Sequence, residues 1–119
     1  MVSMNKFKDL SVWQKSIELA EAVYQLTTNF PVEEKFGLQS QIRRCVVSIA
    51  SNISEGAGRN SKKEFRYFFS ISLGSSYELE TQLILAARFN YFNNDSLIYV
   101  LEKLNEVQKM IVGLSKSLV

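Results

Sequence analysis

Histidine is absent from the chain, and cysteine and proline occur once each. Without histidine the commonest general base, the usual zinc ligand and the Ser-His and Cys-His nucleophile pairs are all missing. A single cysteine, Cys45, allows no disulfide within one chain, and a reducing cytoplasm fits that usage. Pro31 and only five glycines leave long uninterrupted segments, as an all-helical protein needs. No apolar run approaches the length of a membrane span, and the opening MVSMNKFKDL has no apolar signal core. The net charge of +2 is too small to impose a nucleic-acid reading by itself. No nucleophile with a base, metal-ligand cluster or phosphate loop is visible, so neither an enzyme nor a cofactor or metal is expected.

What is present is an apolar fraction of 46%, ample for a core, in a chain of single-domain length. The apolar residues recur at helical spacing in four segments, predicted as helices over about 12–29, 37–57, 62–90 and 96–118. Ser11 with Gln14 reads as a capping box for the first helix. That helix carries two adjacent stripes, Trp13, Ile17, Ala20, Tyr24, Thr27 and Val12, Ser16, Leu19, Val23, Leu26, Phe30. It should stop near Asn29, ahead of Pro31. In the second helix Leu38, Ile42, Cys45, Ile49 and Ile53 form the apolar face, which makes Cys45 a small core residue. Gly56, Ala57 and Gly58 supply a glycine stop. Ser61 with Glu64 caps the third helix.

The third helix is bulky at its ends and small in the middle, where Ser70, Ser72, Gly74, Ser75 and Ser76 crowd together. Intrinsic propensity argues against a helix there, but the period runs through, and small residues in mid-helix mark the close approach of another helix. Asn93 to Ser96 give a turn and the next cap, and Leu97, Leu101, Leu104, Val107 or Gln108, Ile111, Leu114 and Leu118 face the core from the last helix. The connections are short, so sequential helices are antiparallel neighbours. The expected fold is all-α, one domain over residues 1–119: an antiparallel up-down-up-down four-helix bundle.

Two polar features stand out. Beside the apolar face of the second helix runs a row of Gln41, Arg44, Ser48, Asn52, Glu55 and Arg59. Folding the second and third helices about the turn near 58–61 brings this row against Ser75, Glu78 and Gln82. A structural polar network of Gln41, Arg44, Ser48, Asn52, Ser75, Glu78 and Gln82 follows. It includes an Arg44–Glu78 ion pair, and Arg44→Ala is expected to destabilise more than Arg43→Ala. The second feature is Arg59, Lys62, Lys63 and Arg66, four cations within eight residues at one end of the bundle. The bland reading is a solvated turn. The functional one is a patch for the phosphates of nucleic acid, with Tyr67 available for stacking.

The segments DLSVWQKSIELAEAVYQLT, FPVEEKFGLQSQIRRCVVSIASNISEGAGR, KEF and GSSYELETQL agree in order and spacing with one family. They resemble the small bacterial four-helix bundle proteins named after intervening sequences in 23S ribosomal RNA genes. Trp13, Gln14, Gln41, Arg43, Arg44, Ser48, Asn52, Glu55, Gly56, Gly58, Arg59, Phe65, Ser75, Glu78, Glu80 and Gln82 stand where that pattern has them. Ser51 departs from it, where proline is frequent, so the second helix should be straighter here. The resemblance implies an antiparallel bundle assembled as a homopentamer. It also implies similarity to the accessory protein of diversity-generating retroelements, a pentameric barrel that binds nucleic acid and a reverse transcriptase. Two functions follow as expectations: a non-enzymatic cytoplasmic protein binding structured RNA or DNA, or a scaffold subunit partnering a polymerase or ribosomal component.

Overall fold

In the computed structural model, which describes residues 4–118, four helices carry the apolar periodicity: α1 Ser11–Thr27, α2 Leu38–Ala57, α3 Lys62–Arg88 and α4 Asn94–Ser117. Short 3₁₀ turns, Met4–Asp9 and Val32–Glu34, precede α1 and α2. Each helix packs on its sequence neighbours, and α1 closes the ring against α4. Ser48 meets Ser75 across the α2–α3 turn, and Lys15 of α1 meets Glu106 of α4, so neighbours run antiparallel. The bundle is 44 Å long and 24 × 20 Å across. That length fits the 27 residues of α3 at the helical rise of about 1.5 Å each.

The helix ends show how local chemistry sets the boundaries. The Ser11–Gln14 box does not form. Leu10 is the cap residue, and the Gln14 amide donates back to the carbonyl of Lys8 in the leading 3₁₀ turn. The chain thus enters α1 already wound, one residue earlier than expected. Thr27 ends α1, two residues short of Asn29. The hydroxyls of Thr27 and Thr28 both donate to carbonyls one turn back. Phe30 then tucks between Tyr91 and Phe92 from the α3–α4 connection. Glu34 caps α2 from a distance: its Oε1 accepts the Leu38 N–H at 3.0 Å and its Oε2 accepts the Tyr91 hydroxyl at 2.7 Å.

Ser61 accepts the Glu64 N–H at 3.1 Å and Asn93 accepts the Ser96 N–H at 2.8 Å, each satisfying an orphan donor of the following helix. Asn90, in the left-handed region at φ 64°, turns the chain after α3. The glycine stop expected after α2 is not left-handed, since Gly58 has φ −84° and ψ −4°. Gly56 matters for a different reason. A Cβ there would lie 2.9 Å from Cβ of Phe68 and 3.1 Å from the Phe65 carbonyl, so only glycine lets α3 start this close to α2.

Of the two α1 stripes, Val12, Ser16, Leu19 and Val23 are buried, whereas Ile17 and Tyr24 stay partly exposed. Ile42, Val46, Ile49 and Ile53 fill the α2 side. The core face of α2 is rotated toward Val46, which leaves Cys45 half-buried at the rim instead of in the core. On α4 the same rotation buries Val100, Leu104, Val107 and Ile111 and leaves Leu97, Leu101, Leu114 and Leu118 at the margin. The small residues of α3 mark its closest contact. Ser72 donates to the Ile49 carbonyl at 2.9 Å and Ser76 to its own helix at 2.6 Å, so these buried hydroxyls are satisfied and the helix continues unbroken.

Candidate nucleic-acid interface

The turn between α2 and α3 carries the basic cluster, and the fold adds to it. The 3₁₀ turn Met4–Asp9 packs against α2 and brings Lys6 beside Lys62. Together with Asp9, Leu10, Asn60, Phe65 and Leu118 these two lysines border a cavity of about 700 Å³. Lys8 lies on the same turn, and Lys116 ends α4 at this end of the bundle. Seven cations therefore share one end with three carboxylates, Asp9, Glu55 and Glu64. That is a local +4 in a chain of net +2, so the rest of the molecule is net acidic. Lys6, Lys8 and Lys116 lie outside the cluster visible in the sequence. The alternation KFKD in the lead-in was its only signal, and nothing local shows that it folds back over the α2–α3 turn.

The four residues of the sequence cluster are not equivalent. Arg59 lies over the ring of Phe68 at 4.6 Å, its Nη2 is 3.3 Å from Glu55, and its Nε is enclosed without a partner. Lys62, Lys63 and Arg66 are exposed and in no ion pair among the described residues. Lys62 and Lys63 sit in the first turn of α3, where unpaired N–H groups and the helix dipole add to their charge. Tyr67 is 61% exposed beside them.

The polar row on α2 divides in two. Ser48 and Ser75 hydroxyls are 2.9 Å apart, and the Asn52 amide donates to both the Ser48 hydroxyl, at 3.0 Å, and the Ser48 carbonyl. Gln41, Arg44 and Glu78 are exposed and stand apart from this group, and no ion pair joins Arg44 to Glu78. The short side chains fit inside the α2–α3 seam, while the long ones extend past it to water. Gln82 is half-buried with its Oε1 enclosed and unpartnered, and its amide approaches Cys45. Burial first, and the Glu78 carboxylate second, push the Cys45 thiol up from its ordinary value.

The arginine that the structure ties down is Arg43. Its Nε donates to the buried Thr27 hydroxyl at 2.9 Å, its Nη2 to the Tyr24 carbonyl at 3.2 Å, and its guanidinium lies 4.5 Å over the Tyr24 ring. The contacts thus favour Arg43 over Arg44 as the residue that matters for stability, opposite to the order expected from sequence, because α1 offers acceptors to Arg43 whereas Arg44 faces solvent.

No group of three or more potential metal ligands occurs among the described residues. No helix among them is long and apolar enough to cross a membrane.

Fold and polar pattern define a class, the small antiparallel four-helix bundles with a charged turn at one end. The chain belongs to the 23S rRNA-intervening sequence protein family, whose model matches residues 8–113. It is similar to a protein of unknown function from the S23 ribosomal protein family of Bacteroides thetaiotaomicron, known from a crystal structure at 1.70 Å resolution. The two share 27% identity with a TM-score of 0.79 over 88% of this chain and 98% of the other. No curated protein matches the chain.

Proposed function

We propose that the chain is a non-enzymatic, oligomeric, cytoplasmic protein that binds structured nucleic acid, RNA in the first place, through the basic end. The observation that carries this reading is the segregation of charge. A +4 end on a molecule otherwise net acidic orients the protein toward a polyanion, which a uniform +2 would not do. Lys62, Lys63 and Arg66 have charges free for phosphates, and Arg59 supports the patch from its seat on Phe68. Assembly multiplies the patch without new contacts. In favour of assembly, α3 presents a stripe of Tyr67, Ile71, Leu85 and Phe89 to solvent along its length. Gly74 lies on the same stripe with open space around it. A homopentamer is the form that the family resemblance implies.

The same stripe supports a second reading, a scaffold subunit that partners a polymerase or ribosomal component. Binding separates the two. A labelled RNA hairpin is titrated with wild type and with a variant carrying Arg59→Glu, Lys62→Glu, Lys63→Glu and Arg66→Glu, each checked by native mass. Loss of binding in an equally assembled variant supports the basic end. An assembled wild type that binds no hairpin at low salt sinks that reading and leaves the scaffold.

A further inference from the structure

The opposite end of the bundle holds a second arrangement suited to nucleic acid, of a different kind. A groove of about 520 Å³ runs between α1 and α2, bordered by Tyr24, Lys35, Phe36, Arg43 and Arg44, with no carboxylate in its lining. Of the two acids just before Lys35, Glu34 is occupied by the Leu38 N–H and the Tyr91 hydroxyl, and Glu33 is exposed and outside the lining. Phe36 is 89% exposed, the most exposed large apolar side chain among those described. Among the described residues the Lys35 ammonium lies over it, 5.5 Å from the ring centre. Arg43 is held by Thr27 and Tyr24, which places its charge at the groove wall, and Arg44 beside it is exposed and in no ion pair among the described residues.

We infer that this groove binds single-stranded nucleic acid, with an unpaired base stacked on Phe36 and the neighbouring phosphates on Lys35, Arg43 and Arg44. An open aromatic face beside several cations, in a groove whose lining carries no carboxylate, suits a flexible strand with open base faces. A duplex hides its base faces, so it gains only the charges here. Stacking is tolerant of sequence, and the site should show little base preference. The inference does not rest on the basic end, which lies at the other pole of the molecule and serves phosphates in structured nucleic acid.

The test is fluorescence anisotropy with a labelled, non-self-complementary RNA of about 12 nucleotides and with a duplex of the same length. Phe36→Ala should weaken single-strand binding about tenfold, the range of one base–aromatic stack, and leave duplex binding unchanged. Arg44→Glu should weaken the single strand and flatten its salt dependence. Phe36→Trp should keep the affinity, and its added emission should be quenched by the single strand and not by the duplex. Tyr99→Ala, another exposed aromatic outside the groove, should match wild type. Unchanged single-strand affinity in Phe36→Ala overturns the inference, as does unquenched emission of Phe36→Trp at saturation. A native mass altered by Phe36→Ala also overturns it, and assigns the groove to a protein contact instead. Hairpin binding that depends on the basic end while Phe36→Ala is silent refutes this site alone. The reverse pattern refutes the basic end alone.

Discussion

Arg43→Ala and Arg44→Ala should part company in stability. Arg43 loses a part-buried charged hydrogen bond to Thr27, a more exposed one to the Tyr24 carbonyl and its place over the Tyr24 ring. A hydrogen bond to a charged group contributes about 1.5–3 kcal/mol, and a cation–π contact at an exposed site about 0.5–1 kcal/mol. Against this, alanine is the better helix former by a few tenths. Thr27 is not orphaned either, because its hydroxyl still donates to the Val23 carbonyl. The net loss comes to about 2 kcal/mol, or roughly 8 °C in Tm for a domain between the small and medium size classes. Arg44 makes no such bonds, and a surface substitution of that kind stays within about 0.5 kcal/mol. Thermal unfolding followed by far-UV circular dichroism reads both variants against wild type. Equal shifts, or a larger one for Arg44→Ala, would refute the reasoning and restore a buried role for Arg44.

Other expectations follow from the same geometry. Gly56→Ala should destabilise by about 1 kcal/mol, because overpacking against Phe65 and Phe68 costs about 1–3 kcal/mol and outweighs the gain in helix propensity. Gly113→Ala, whose Cβ meets nothing within 4 Å, should instead stabilise by up to about 1 kcal/mol; urea midpoints of the two variants should move in opposite directions. The Leu38 N–H, and then the Tyr91 hydroxyl, hold Glu34 below its ordinary value. Its contribution is therefore present above the unfolded carboxyl range and lost as pH falls through the lower folded value. The Glu34 carboxylate raises Tyr91 above its ordinary value, so its contribution is lost as pH rises through that higher value. Tyr91→Phe should thus lower Tm at neutral pH and converge with wild type at both extremes. Cys45 should react slowly with a thiol-exchange reagent near neutrality, faster in Glu78→Gln and slower in Arg44→Ala.

Four helices in their order were legible because the apolar period is strong and the connections are short. The caps at Ser61 and Asn93 were legible for the same reason that they work, a short oxygen acceptor placed before a helical run. The α1 start was not, since Gln14 spends its amide on Lys8 in a turn that carries no periodic signal. The serines of α3 announced a close seam with α2. Within it Ser48 meets Ser75, and Ser72 reaches the carbonyl of Ile49, the next residue along α2. Arg44 and Glu78 lie at the margin of that seam, where their long side chains reach water and neither needs the other. At the basic end, sequence adjacency showed Arg59, Lys62, Lys63 and Arg66. It did not show Lys6, Lys8 and Lys116, which only the folded ring of helices brings to the same pole.

The most direct test of the basic end is the slope of log affinity against log salt for a structured RNA or duplex. Each phosphate neutralised contributes about −0.9 on a duplex. An end that engages three or four phosphates per subunit gives a slope of about −3 or steeper, rising toward zero when Arg59, Lys62, Lys63 and Arg66 are all reversed. A wild-type slope near zero, or one that the four reversals leave untouched in an intact assembly, would contradict the account.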